Sequence, residues 1–161
     1  YFKLSAYLRR YVKSPIGLVL GLNNLADIFK EDYYANLEGG ILEAFGKLFK
    51  DNVKIYAYPI ELENFERYRK QMGVGDNVET KTAEDELVTI ENLLVARNLR
   101  NLYKYIRENG FLVTIENCDR SNMNLFSRDI FDLVQNRTEG WKDSLPSCVT
   151  DMIEKNNLWK R

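Results

Sequence analysis

Apolar residues recur through the first thirteen positions (YFKLSAYLRRYVK) at the spacing of a helix. At about 100° per residue, Tyr1, Leu4, Tyr7, Leu8, Tyr11 and Val12 gather on one face. Lys3, Arg9, Arg10 and Lys13 gather on the other. Ser14-Pro15 then ends the element, because the proline ring clashes with a continuing turn. The pattern next predicts a helix over about 21–30, with Leu22, Leu25, Ala26 and Phe29 on one side. A longer helix over about 33–49 follows, carrying Tyr34, Leu37, Ile41, Phe45 and Leu48 at spacings of three and four. It also holds Gly39, Gly40 and Gly46, and each glycine costs a helix interior about 0.8–1 kcal/mol relative to alanine. Close approach of another backbone, such as the turn from Pro15 to Gly21, would account for them. A break at Gly39-Gly40 is the alternative.

After Asp51-Asn52 the period changes from 3.6 to 2. Val53, Ile55 and Ala57 alternate with Lys54, Tyr56 and Tyr58, which predicts a strand closed by Pro59. Residues 61–72 are helical in pattern, with Glu63–Arg67 and Glu66–Lys70 four apart. Residues 73–86 are polar, contain glycine and lack aromatics, so an exposed, mobile loop is expected there. The apolar stretch 87–90 suits a strand or a helix start equally. A helix over about 93–108 places Val95, Leu99, Leu102 and Ile106 on one stripe and stops at Asn109-Gly110. Residues 111–116 form a second strand candidate. Ser127 is placed to cap a helix through about 136, and Pro146 to open a last one through about 155.

These elements predict a mainly α chain with a small β element, an α+β class. The basic amphipathic helix occupies 1–14, and a single compact domain occupies 15–161 with an exposed insertion at 61–86. At 161 residues a single domain can bury roughly 70% of the surface its unfolded chain exposes. Hydrophobic residues make up 45% and charged residues 29%, which excludes wholesale disorder. The net charge of −1 creates no global field. Charge is local instead, since the four cations of the first helix precede the first acid, Asp27.

The longest apolar run, Ile16 to Leu22, falls far short of a membrane span. Cys118 and Cys148 lie far apart, outside any metal-ligand spacing, and are read as reduced thiols. Asn136-Arg137-Thr138 fits the glycosylation pattern, but nothing else points to secretion. The chain opens at Tyr1 and not at Met, a trimmed start that maturation of a targeting segment and an artificial truncation explain equally well.

The absence of histidine removes the commonest acid/base near neutral pH, the Ser-His and Cys-His pairs, and imidazole zinc sites. The glycine pairs of Gly17–Gly21 and Gly73–Gly75 lack the strand–loop–helix context of a phosphate loop. Glu84-Asp85-Glu86 reads as a solvated acidic loop. Residues 119–129 are rich in oxygen ligands without the pattern of a calcium loop. Asp129 and Asp132 would share a helix face. No catalytic residue, cofactor or metal is assigned.

More informative is the basic first helix, whose Lys3, Tyr7, Arg9, Arg10, Tyr11 and Lys13 are candidates for partner binding. Protein subunits are the expected partner, with an anionic membrane surface or RNA as further readings and no DNA expected; packing of the helix on its own domain is the alternative to all three. Ten tyrosines suit a contact-rich surface.

Several strings also resemble a small family of bacterial proteins. They are Ser14 to Gly21, Tyr33-Tyr34, Leu37 to Phe49, Val53 to Pro59, Leu99 to Gly110, Phe126 to Asp129 and the tail from Trp141 to Leu158. Members are labelled nicotinate-nucleotide adenylyltransferase, and the similarity covers most of the chain outside 61–86. The histidine motif of that chemistry is missing here, so the resemblance transfers no catalytic residue. Together with abundant Asn, Lys and Tyr, it implies a bacterial-type domain recruited into mitochondria. The expected role is a non-catalytic accessory subunit of a mitochondrial membrane complex (respiratory chain or ATP synthase) or ribosome. The alternative is a nucleotide-like ligand binder or enzyme using Lys47, Tyr56, Arg128 and Asp129, with a cytoplasmic location as the alternative compartment.

Overall fold

The computed structural model describes residues 1–71, 79–80, 86–123 and 125–159. They form an α+β fold, about half helical, in two compact units, Tyr1–Cys118 and Asp119–Arg161.

The first unit is built on three parallel strands, β1 (Ile16–Gly21), β2 (Val53–Tyr58) and β7 (Leu112–Thr114), in the order β1-β2-β7. Strand β2 appears where the alternation predicted it. Strand β1 corrects the reading of 16–22 as a mere apolar run. Its residues alternate in burial, and Ile16, Leu18 and Leu20 stand opposite Val53, Ile55 and Ala57. These six side chains form one buried face. Helix α2 (Leu22–Asp27) contacts both strands and buries Leu22, Leu25 and Ala26. Helix α5 (Arg100–Glu108) contacts β7 and buries Tyr103 and Ile106. Helix α3 (Gly40–Leu48) buries Ile41, Ala44, Phe45 and Leu48. Phe45 meets Phe29 edge-on at 5.0 Å, and Phe29 meets Tyr103 at 5.2 Å, so one aromatic chain ties these helices together.

Parallel sheets are ordinarily covered on both faces. Here the second face is open, with Val19 67% exposed beside its register partner Tyr56.

Two short antiparallel ribbons complete this unit. Strand β3 (Ile60–Glu61) pairs with β5 (Leu87–Val88), and β4 (Glu79–Thr80) pairs with β6 (Leu93–Leu94). The helix expected from 93 therefore begins later, as a 3-10 turn at Arg97–Leu99 leading into α5. Of its predicted stripe, Val95, Leu99 and Ile106 are buried and Leu102 is half-buried. Residues 79–80 were expected to be loop, yet they pair as a strand; 72–78 and 81–85, including Glu84 and Asp85, lie outside the described residues. Helix α4 (Leu62–Gln71) departs from the reading of 61–86 as an exposed insertion, because Asn64 and Phe65 are buried.

The glycine-bearing helix is shorter than predicted. A 3-10 turn at Glu31–Tyr34 precedes it, and α3 starts only at Gly40, whose φ is +54°. That left-handed conformation is what glycine supplies, and it breaks the helix predicted over 33–49. The close-packing explanation for the glycines is corrected as well. Among the described residues, nothing lies within 4 Å of a Cβ built on Gly40 or Gly46. The atoms nearest a Cβ on Gly39 belong to Glu43 of α3, whose carboxylate accepts the Gly39 N–H at 2.9 Å.

In the second unit, α6 (Ser127–Asn136) and α7 (Ser147–Lys155) begin and end close to where their caps predicted. Val134, Trp141 and Ile153 form its buried centre, with Ile130, Leu133 and Leu145 packed around them. The Arg137 guanidinium lies 5.2 Å from the centre of the Trp141 ring.

Candidate functional site

Helix α1 (Phe2–Leu8) is shorter than the predicted 1–13, and a turn carries the chain through Tyr11. It has no side-chain cap and only two turns, so tertiary contacts must hold it. Arg9 supplies the main one. Its Nη1 donates to the carbonyls of Val12 at 3.2 Å and Ser14 at 2.8 Å, and its Nη2 donates to the carbonyl of Asp51. A residue expected to meet a partner is therefore a strap tying α1 to the start of β2.

The strap fixes which face turns inward. Ser5 is 3% exposed, and its hydroxyl donates to the Phe2 carbonyl at 2.9 Å. Phe2, Ser5, Ala6 and Arg9 look toward α3 and Val53 across a shared pocket. At about 100° per residue, positions 2, 5, 6 and 9 share one side of a helix, and 4, 7 and 11 share the other. Most of the apolar stripe points outward: Tyr1 is 46% exposed, Leu4 47%, Tyr7 54%, Tyr11 72% and Val12 40%, while Leu8 is half-buried. Tyr7 and Tyr11 stack against each other with ring centres 5.3 Å apart. Lys3, Arg10 and Lys13 are exposed around the stripe, and among the described residues none of them has an ion pair. An apolar stripe left exposed on a helix that seats only Ser5 fully against its own domain is arranged for contact with something else.

Titration behaviour in this unit follows from packing. Burial, with Tyr33 and Tyr1 nearby, pushes the Tyr34 hydroxyl up to about 12, and it donates to the Ile28 carbonyl at 2.6 Å. Burial also raises Tyr103, which donates to the Ile90 carbonyl at 2.7 Å. The Lys47 ammonium, aided by the Gly39 N–H, holds Glu43 below the usual carboxylate range. Each shift carries its group further from neutral pH, the opposite of what a general acid or base requires. Among the described residues no three His, Cys, Asp or Glu side chains cluster as a metal site, and both cysteines are free. No described helix is long and apolar enough to cross a membrane.

Of the alternative ligand set, Lys47 and Tyr56 belong to the first unit and Arg128 and Asp129 to the second. Lys47 lines the pocket beside α1, whereas Tyr56 is on β2 and lies outside that lining. The Tyr56 ring instead covers Gly17, where a Cβ would sit 3.0 Å from it. Arg128 and Asp129 belong to α6 in the second unit. Asp129 and Asp132 are both exposed there.

Sequence reasoning missed Lys50, which joins Lys3, Arg9 and Lys47 around the pocket. No local pattern links positions 3 and 50, and only the docking of α1 on α3 brings them together. No protein-family model, curated protein or solved structure matches the chain.

Proposed function

We propose that this protein is a non-catalytic accessory component of a larger assembly, docking on a partner subunit through the outward stripe of α1. One observation carries the reading: Leu4, Tyr7 and Tyr11 are exposed while Ser5 is buried and Phe2 and Arg9 are half-buried on the side toward α3. Tyrosine and leucine in one stripe offer a large contact area at low entropic cost. The three exposed cations around it favour a partner surface with acidic residues at its rim.

The assembly we have in mind is a mitochondrial membrane complex of respiratory-chain or ATP-synthase type, or a ribosome. Its support is the basic amphipathic start together with the Asn-, Lys- and Tyr-rich composition. Isolation of the native protein at its native mass tests the idea, with the partners identified by mass. Co-migration with a defined set of subunits is the expected result, and a monomer free of partners at physiological salt would overturn it. A double change, Leu4→Ser with Tyr7→Ser, should release the protein from the assembly while leaving its circular dichroism intact, because neither side chain is buried.

A further inference from the structure

Between α1 and the C-terminal end of α3 lies an open pocket of about 410 Å³. Its basic lining is unusual for a chain of net charge −1: Lys3, Arg9, Lys47 and Lys50 face it with a single carboxylate, Asp51. The four cations come from different places in the chain, two from α1 and two from the end of α3 and the turn after it.

They differ in how far their charge is already answered. Lys47 is paired with Glu43. Arg9 is held by three backbone carbonyls, which fix its position without cancelling its charge. Its Nε is buried with no hydrogen-bond partner. Lys3 and Lys50 are exposed and have no ion pair among the described residues. Three cations thus remain without a carboxylate partner of their own, and one of them, Arg9, is held in place.

Cations near the end of α3 also offset its terminal carbonyls, which explains Lys47 and Lys50 in part. It does not explain why Lys3 and Arg9 of another helix face the same space. The rest of the lining is Phe2, Ala6 and Val53, which are apolar, and Ser5, whose hydroxyl is engaged with the Phe2 carbonyl. The Lys47 ammonium lies 6.0 Å from the centre of the Phe2 ring.

We propose that this pocket binds the phosphate group of a small amphipathic molecule, with Lys3, Arg9 and Lys50 around the phosphate and Phe2, Ala6 and Val53 against the apolar part. Phosphate fits because its spread negative charge can accept from several donors at once, and charge-assisted bonds of this kind are the strong ones. A lipid phosphate and a nucleotide phosphate share this chemistry. The site is separate from the apolar stripe, so it stands whether or not the docking reading does.

Calorimetric titration of the full chain with four probes tests the proposal: inorganic phosphate, dihexanoyl phosphatidic acid, adenosine monophosphate and uncharged dihexanoyl glycerol. At least one organic phosphate should bind saturably at one site, at least tenfold tighter than inorganic phosphate and with inorganic phosphate competing. Whether phosphatidic acid or the nucleotide binds more tightly identifies the source of the phosphate. Lys3→Glu with Lys50→Glu should weaken that binding at least tenfold, whereas Lys50→Arg should retain it; both lysines are exposed, so unchanged circular dichroism is expected for each variant. Failure of every phosphate probe to saturate would overturn the proposal. So would equal binding of dihexanoyl glycerol, or indifference of the binding to charge reversal.

Discussion

Gly40 and Gly46 sit six residues apart, yet opposite outcomes are expected when each is changed to alanine. At Gly40 the φ of +54° is unfavourable for any residue with a Cβ, so Gly40→Ala should destabilise by about 1 kcal/mol. Gly46 is exposed inside α3 with open space around it, and Gly46→Ala should stabilise by about 0.4–1 kcal/mol. Urea denaturation of the two variants checks both signs at once. Tyr34 provides a pH test at the same scale. Its folded-state pKa of about 12 lies above the ordinary value of 10.0, so the neutral form is favoured by folding. That contribution is complete below pH 10 and is lost as pH rises toward 12. Tyr103, also raised, acts in the same direction. Wild type should therefore lose more stability over this window than Tyr34→Phe, as read from denaturation midpoints at successive pH values. These residue-level features were only half legible. The sequence offered Gly39-Gly40 as a break or a packing contact, and the sign of a backbone angle decided between them.

Among the elements, α1 depends most on contacts remote in sequence. Arg9→Ala removes its bonds to Val12, Ser14 and Asp51, and Arg9→Lys cannot reproduce a fork that reaches three carbonyls. Amide exchange in α1 should accelerate at least tenfold in both variants, while exchange in β2 changes far less. An unchanged α1 would show that the strap is not what holds it. The helix itself was legible from its period, but its orientation was not. Periodicity separates an apolar face from a polar one, and the apolar one is normally assigned inward; here the small Ser5 and the clamped Arg9 occupy the inner side. Helix α4 teaches a related lesson. The resemblance skips 61–86 and so implied an exposed insertion there, yet Phe65 is fully buried, and Phe65→Ala should cost about 3–5 kcal/mol in a urea titration.

Over the whole chain, both tryptophans, Trp141 and Trp159, lie in the second unit, and the parallel sheet lies in the first. Ile153→Ala, which opens the centre beside Trp141, should lower the fluorescence-monitored denaturation midpoint by the equivalent of about 2–4 kcal/mol. An unshifted midpoint would mean that Ile153 is not part of that centre. The sequence by itself determined what is local: the alternation of β2, the apolar faces of α2 and α5, the stop at Asn109-Gly110 and the extents of α6 and α7. Each follows from neighbours a few residues away, through side-chain period, caps and the conformational limits of glycine and proline. Only the tertiary structure decided that Ile16–Gly21 is a strand, because its hydrogen-bonding partner begins at Val53. It likewise decided that the chain forms two units, that α1 shows its apolar stripe outward, and that Lys3 and Lys50 share one pocket. Those outcomes rest on pairings between distant segments, and a periodic pattern records which side chains share a face without recording what that face will meet.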